Sequence, residues 1–175
     1  MPIQSTAAET LMAYRKRSLP EFLDDPASKS DGVVYSHSHD TRVKAYFRKG
    51  QKFIGEVEFP KVLCLVRVVA ERKGDLLFPE TFAEALQIIK SHNYDPTKAG
   101  LFLRGTGGYR AFDALMLKEA AMRGYDAIFV EDVANPAFPD ILLRYGYRLS
   151  PGIFPSTSPS FWKPLRLTLS HAIAT

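Results

Sequence analysis

The stretch LFLRGTGGYRAFDALMLKEAAMRGYDAIFV, residues 101–130, decides how this chain is read. Leu101, Phe102 and Leu103 form a short apolar run of the kind that makes a buried strand. The Gly-rich turn Arg104-Gly105-Thr106-Gly107-Gly108 follows at once. From Tyr109 to about Arg123 the apolar residues Phe112, Leu115, Met116 and Ala120 recur at helical spacing, and Gly124 stands where a helix ends in a left-handed residue. Strand, glycine turn and helix together present bare backbone N–H groups at a helix N-terminus, an arrangement that suits a phosphate.

Working outward, YDAIFVEDV (125–133) predicts the next strand and Asn135 to Pro139 a turn. Pro139 opens a short helix, PDILLRY, closed by Gly146, and GYRL and FWKPLRLTL read as two last strands. Upstream, PETFAEALQIIKSH (79–92) has the spacing of a helix. KVLCLVRVVAER (61–72) is rich in β-branched residues and predicts a central strand. VKAYF (43–47) and KFIGEVEF (52–59) predict strands joined by a hairpin connection at Arg48-Lys49-Gly50-Gln51, with Phe53, Val57 and Phe59 on one face. Residues 6–17 carry the capping-box pattern Thr6…Glu9 and predict an N-terminal helix, and Leu19 to Gly32 reads as a loop. The expected fold is α+β: one mixed, mostly antiparallel twisted sheet with helices on both faces, parallel at the central crossover over 100–131. One domain over 1–175 is expected, with the helix and loop at 1–32 leading into it.

Composition narrows the function classes. With 46% apolar and 24% charged residues the chain has the profile of a globular protein with a real core. A net charge of +4 suits an anionic small ligand and is too weak to argue for nucleic acid. The single cysteine, Cys64, sits inside an apolar run and reads as a core thiol. No apolar run reaches the roughly 20 residues that cross a bilayer as a helix, and the N-terminus lacks the pattern of a secretory signal, so a cytoplasmic setting is expected. His37, His39 and Asp40 invite a metal reading, but nothing downstream completes a ligand set, and an exposed loop is the simpler account.

From Leu101 onward the order and spacing resemble the GNAT superfamily of acyl-CoA-dependent N-acetyltransferases. Its phosphate motif, Gln/Arg-x-x-Gly-x-Gly/Ala, is met by Arg104 and Gly107; Tyr109 takes the sixth place, with Gly108 one position earlier. Gly124-Tyr125, Asn135, the helix PDILLRY with Gly146-Tyr147, and FWKPL follow in the family's order, so the likeness covers residues 99–167. It implies acetyl-CoA as co-substrate and an acceptor amine of unknown identity, small molecule or protein, and a homodimer is compatible with it. The backbone of Leu101, Phe102 and Leu103 would meet the donor's pantetheine arm. Arg104, Gly105, Thr106, Gly107, Gly108 and Tyr109 would hold its pyrophosphate, with Asn135 beside them.

For the chemistry, Glu131 and Asp132 close the strand and can supply the base, with Glu131 the residue chosen, and Glu56 and Glu58 are weaker candidates. Leu142 occupies the place of the family's helix tyrosine, which moves the candidate acid to Tyr145, about 60° round the helix. Two other readings stay open. The pieces GVVYSHS, LCLVRVVAERKGDLLF and GYDAIFV also follow the order of an ADP-ribosyltransferase-like, NAD-using domain, and a GNAT-like scaffold can serve as a non-catalytic protein-binding module.

Overall fold

A computed structural model describes residues 17–72, 83, 84, 86, 87, 90, 108–131, 133, 137–151 and 159–166. The expected helix at 6–17 falls outside them except for Arg17, as does most of that at 79–92, whose described positions are helical.

The segment expected to be a loop after Leu19 starts instead with a helix, α1 (Leu19–Asp24). Ser18 caps it: its hydroxyl accepts from the Glu21 N–H at 3.4 Å and donates to the Glu21 carboxylate at 3.1 Å. Pro20 sets the helical φ of the first turn, and Leu19, Phe22 and Leu23 bury the inner face. Strand β1 (Ser30–Ser38) then begins inside the expected loop.

Strands β1, β2 (Thr41–Ile54) and β3 (Val57–Arg72) form an antiparallel meander. The hairpin expected at 48–51 is displaced. Arg48, Lys49 and Gly50 stay in the ladder opposite Cys64, Leu63 and Val62, and the chain reverses at Gly55-Glu56, where Gly55 takes φ 64°. A two-residue turn makes 54 and 57, and 53 and 58, cross-strand partners. Phe53 therefore stands with Glu58 and is 61% exposed, while Val57 and Phe59 join Ile54 on the other face. The expected shared face of Phe53, Val57 and Phe59 breaks at that turn.

Helix α2 (Gly108–Met122) buries Phe112, Met116 and Ala120. Strand β4 (Ala127–Val130), helix α3 (Phe138–Arg144), β5 (Arg148–Leu149) and β6 (Phe161–Pro164) follow. The two Gly-Tyr pairs do the same work. Tyr125 N–H bonds to Ala120 O and Gly124 N–H to Ala121 O; Tyr147 N–H bonds to Leu142 O and Gly146 N–H to Leu143 O. Both are Schellman endings with the glycine left-handed (φ 73° and 86°) and the tyrosine folded back into the core.

The result is a six-stranded mixed sheet in the order β1-β2-β3-β4-β6-β5, an α+β arrangement. Among the described strands only β3 and β4 pair in parallel, and the strand predicted over 61–72 is internal. Strand β4 lies between β3 and β6, and its parallel neighbour is Val62–Leu65; the 101–103 run lies outside the described residues. The crossover therefore leaves from β3.

Helices α1, α2 and α3 share one core with Val43, Ala45, Phe47, Leu63, Leu65 and Ile128, all on one face of the sheet. Ile54, Phe59, Val62, Cys64, Ala127, Phe129 and Trp162 form a second cluster on the other face. Helices were expected on both faces, and α1–α3 lie on one of them. Arg42 and Lys44, which point to the opposite face, are also buried, so both faces are covered at the start of β2. Among the described residues no helix is long and apolar enough to cross a membrane.

Candidate functional site

The site begins where the parallel β3–β4 ladder ends. Leu65 and Val130 are its last Cα partners, and the Glu131 N–H adds one more bond to Leu65 O at 3.0 Å. Strand β3 continues seven residues further, to Arg72, held on its other side by β2 as far as Thr41. Val66 is the extra residue there: Tyr46 pairs with Arg67 and Phe47 with Leu65, so β3 bulges at the rung where β4 leaves it. On the far side of the gap the Val133 N–H turns to Pro159 O at 2.8 Å.

Glu131 stands at this mouth, on the face away from α1–α3. Its carboxylate accepts from Arg48 on β2 and faces Lys52 Nζ at 3.9 Å. Lys52 also lies over the Phe129 ring, 4.1 Å from its centroid. Beneath these side chains is Cys64, register partner of both Arg48 and Phe129. Burial pushes its thiol up to about 11, Glu131 adds to that, and Lys52 and Arg48 oppose it. This matches the core-thiol reading. A shallow cleft of about 190 Å³ opens here, lined by Arg48, Lys49, Gly50, Gln51, Lys52, Val62 and Cys64. The Lys49 ammonium is engaged elsewhere, donating to the Phe22 and Asp25 carbonyls at 2.7 Å each.

The N-terminus of α2 is on the other side of the sheet. Its first turn has no acidic side chain. Tyr109, the residue at the motif's small position, turns its ring inward: it is 3% exposed, edge-on to Phe138 (centroids 5.0 Å apart) and stacked on Tyr145 (6.1 Å, 12°). Its buried hydroxyl has no hydrogen-bond partner among the described residues, and burial raises its pKa well above the ordinary phenol value. Tyr145 is half-buried, stacked on Tyr109 against the helix-side core, while Leu142 is fully buried. Tyr147 is part of the core, its hydroxyl bonded to Asp113.

Of the residues singled out from the sequence, Glu131 and Tyr145 lie on opposite faces of the sheet and are not brought together. Gly108 and Tyr109 open α2, while Leu101 to Gly107, Asn135 and Asp132 lie outside the described residues. The Asp40 carboxylate accepts from Ser38 and Thr41 hydroxyls at 2.7 and 3.3 Å, in the turn between β1 and β2. Among the described residues no group of three or more His, Cys, Asp or Glu is placed to hold a metal. Sequence reasoning missed Arg48 and Lys52, having placed Arg48 in a turn. Only the β2–β3 register shows that they reach Glu131.

No protein-family model matches the chain, and no curated protein matches it.

Proposed function

We propose that the protein is a GNAT-like acyltransferase that moves an acetyl group from acetyl-CoA to an amine. One observation carries the reading: the β3–β4 ladder stops at Leu65–Val130 while β3 runs on to Arg72 with Val66 bulged at the junction. Strand backbone beyond that point, where β4 no longer pairs with it, would offer N–H and C=O groups for a pantetheine arm, the role that the sequence suggests for residues 101–103, which lie outside the described residues. The inward turn of Tyr109 also favours the reading, because it takes the one bulky ring of the phosphate motif away from the N-terminus of α2.

The roles follow. Arg104 and the amides of Gly105 to Tyr109 bind the pyrophosphate, with the helix end adding partial positive charge, and Asn135 stands beside the donor. The acceptor nitrogen bonds to the acyl carbon as the C–S bond breaks. Glu131 takes the proton from nitrogen; Tyr145, held against Tyr109 on the other face of the sheet, is left out of the step, and the departing thiolate takes its proton from solvent.

A melting experiment tests this. At a hundredfold excess over its dissociation constant, acetyl-CoA stabilises the fold by about 2.7 kcal/mol, a rise of roughly 5 to 10 °C in Tm. Gly107→Asp abolishes the rise by placing a side chain and a negative charge against phosphate. A flat melt across CoA and its esters overturns the reading, and stabilisation by NAD instead turns it toward ADP-ribosyl transfer. Leu142 in the tyrosine's place and the ion-paired Glu131 favour a second reading, a non-catalytic GNAT-like binding module. That reading predicts no CoA release with any amine.

A further inference from the structure

The cleft beside Glu131 has a chemistry of its own. Arg48 and Phe129 flank Cys64 in register, on β2 and β4 respectively. The small cysteine leaves room for the long side chains of β2 to cross β3 and reach Phe129 and Glu131. Among the described residues three cations and no carboxylate line the cleft; Glu131 stands at its edge. With Lys49 engaged by the carbonyls at the end of α1, Arg48 and Lys52 face one carboxylate between them among the described residues, a local excess there of one positive charge. The Arg48 side chain is 52% exposed, and a guanidinium carries five donors in a planar fork, so one contact to Glu131 leaves capacity for a second carboxylate.

A mouth of this sign disfavours a polyamine or a lysine-rich peptide and favours an anion. Its volume, about 190 Å³, lies below the roughly 300 to 1,000 Å³ typical of sites for drug-sized ligands. We propose that the acceptor is a small amine that carries a carboxylate, an amino acid by chemical class, held through Arg48 and Lys52 with its amino group toward Glu131. Arg48 is then the specificity-determining residue. A substrate carboxylate competes with Glu131 for the Arg48 fork, and the exchange releases a Glu131 oxygen to take the amine proton. The inference rests on the acyltransferase reading and deepens it.

The test uses matched pairs of acceptors with acetyl-CoA, following release of CoA thiol: glycine against glycinamide, glutamate against its diamide, and phosphoethanolamine against ethanolamine, with spermidine as the cationic case. Expected is a kcat/KM at least tenfold higher for the carboxylate member of each of the first two pairs. Arg48→Gln brings the ratio toward one, mainly by raising KM for the carboxylate. Lys52→Gln gives the same direction if Arg48→Gln does not fold. Equal or better turnover of the amides, of spermidine or of phosphoethanolamine overturns the proposal, as does turnover of none of the carboxylate-bearing amines. Failure of the underlying reading is separate: it shows as a flat melt with acetyl-CoA. Titration of glutamate and spermidine into the unliganded protein still reads the cleft, where glutamate is expected to bind and spermidine is not; the reverse order sinks the proposal.

Discussion

Tyr147 donates its hydroxyl to Asp113 at 2.8 Å, joining the residue just past α3 to the buried face of α2. Both side chains are almost fully enclosed, so the bond locks the two helices to each other as well as to the sheet.

Burial raises the Asp113 pKa, with the Tyr147 hydrogen bond and Lys163 opposing the rise. Because the folded value lies above the unfolded one, the contribution to stability is fully present below the ordinary carboxylate pKa. It is lost as pH rises through the raised value. Asp113→Asn keeps the shape and an acceptor for Tyr147 but cannot ionise. Urea melts are expected to show the variant gaining on wild type as pH goes from about 3.5 to 7. A gap that is constant or shrinks over that range contradicts this account.

Lys49 holds the end of α1. Its ammonium bonds two carbonyls there and lies 4.4 Å from the Phe22 ring centroid. Lys49→Met keeps much of the stem's packing and removes the donors. A loss of about 1.5 to 3 kcal/mol is expected, as for hydrogen bonds made by a charged group. Thermal melts read it as a lower Tm, and a drop under about 2 °C would show that water replaces the ammonium at no cost.

The Cys64 thiol, raised to about 11 by burial, is almost wholly protonated at neutral pH. A disulfide reagent at about pH 8 is expected to label the native protein far more slowly than the urea-unfolded chain, since the thiolate is the nucleophile. Equal rates in the two states would mean that the cleft admits the reagent and that its cations have activated the sulfur.

Gly55 combines φ 64° with a crowded position: a Cβ there would sit 3.1 Å from Pro151 Cγ. Gly55→Ala is expected to cost about 1 to 2 kcal/mol from the left-handed conformation alone, with the contact to Pro151 adding to it. Chemical denaturation checks this, and a neutral variant would show that the turn relaxes to a different geometry.

What the sequence made legible was local. The spacing of Phe112, Met116 and Ala120 located α2 within two residues, and Gly124 and Gly146 marked the helix ends, because a Schellman ending is written within six consecutive residues. The same logic was present in Ser18-Leu19-Pro20-Glu21, where a capping signal was passed over in a segment rich in Pro and Asp. Strand pairing was the harder part. Lys49-Gly50 has the composition of a turn, yet Gly55-Glu56 makes it, because cross-strand burial of Ile54 and Phe59 outweighs local propensity. The site suffered most: Arg48 and Glu131 are 83 residues apart, and nothing in either neighbourhood announces the other. The parallel partner of β4 was hidden for the same reason.

Val66 changes how β3 has to be compared with any other chain. Before it, the odd positions Leu63 and Leu65 face the helices; after it, the even positions Val68 and Ala70 do. The strand is thus two alternating segments spliced out of phase, much as a frameshift joins two reading frames. A search for period two across 61–72 finds no single frame, and an alignment that runs through Val66 without a gap mispairs inside and outside on one side of it. A regular strand that kept Val66 would force either Leu63 and Leu65 or Val68 and Ala70 onto the wrong face, whereas deletion of that one residue would bring all four into a single frame and remove the bulge. The irregularity is part of the specification of this sheet, and a redesign that tidies it away would encode a different one.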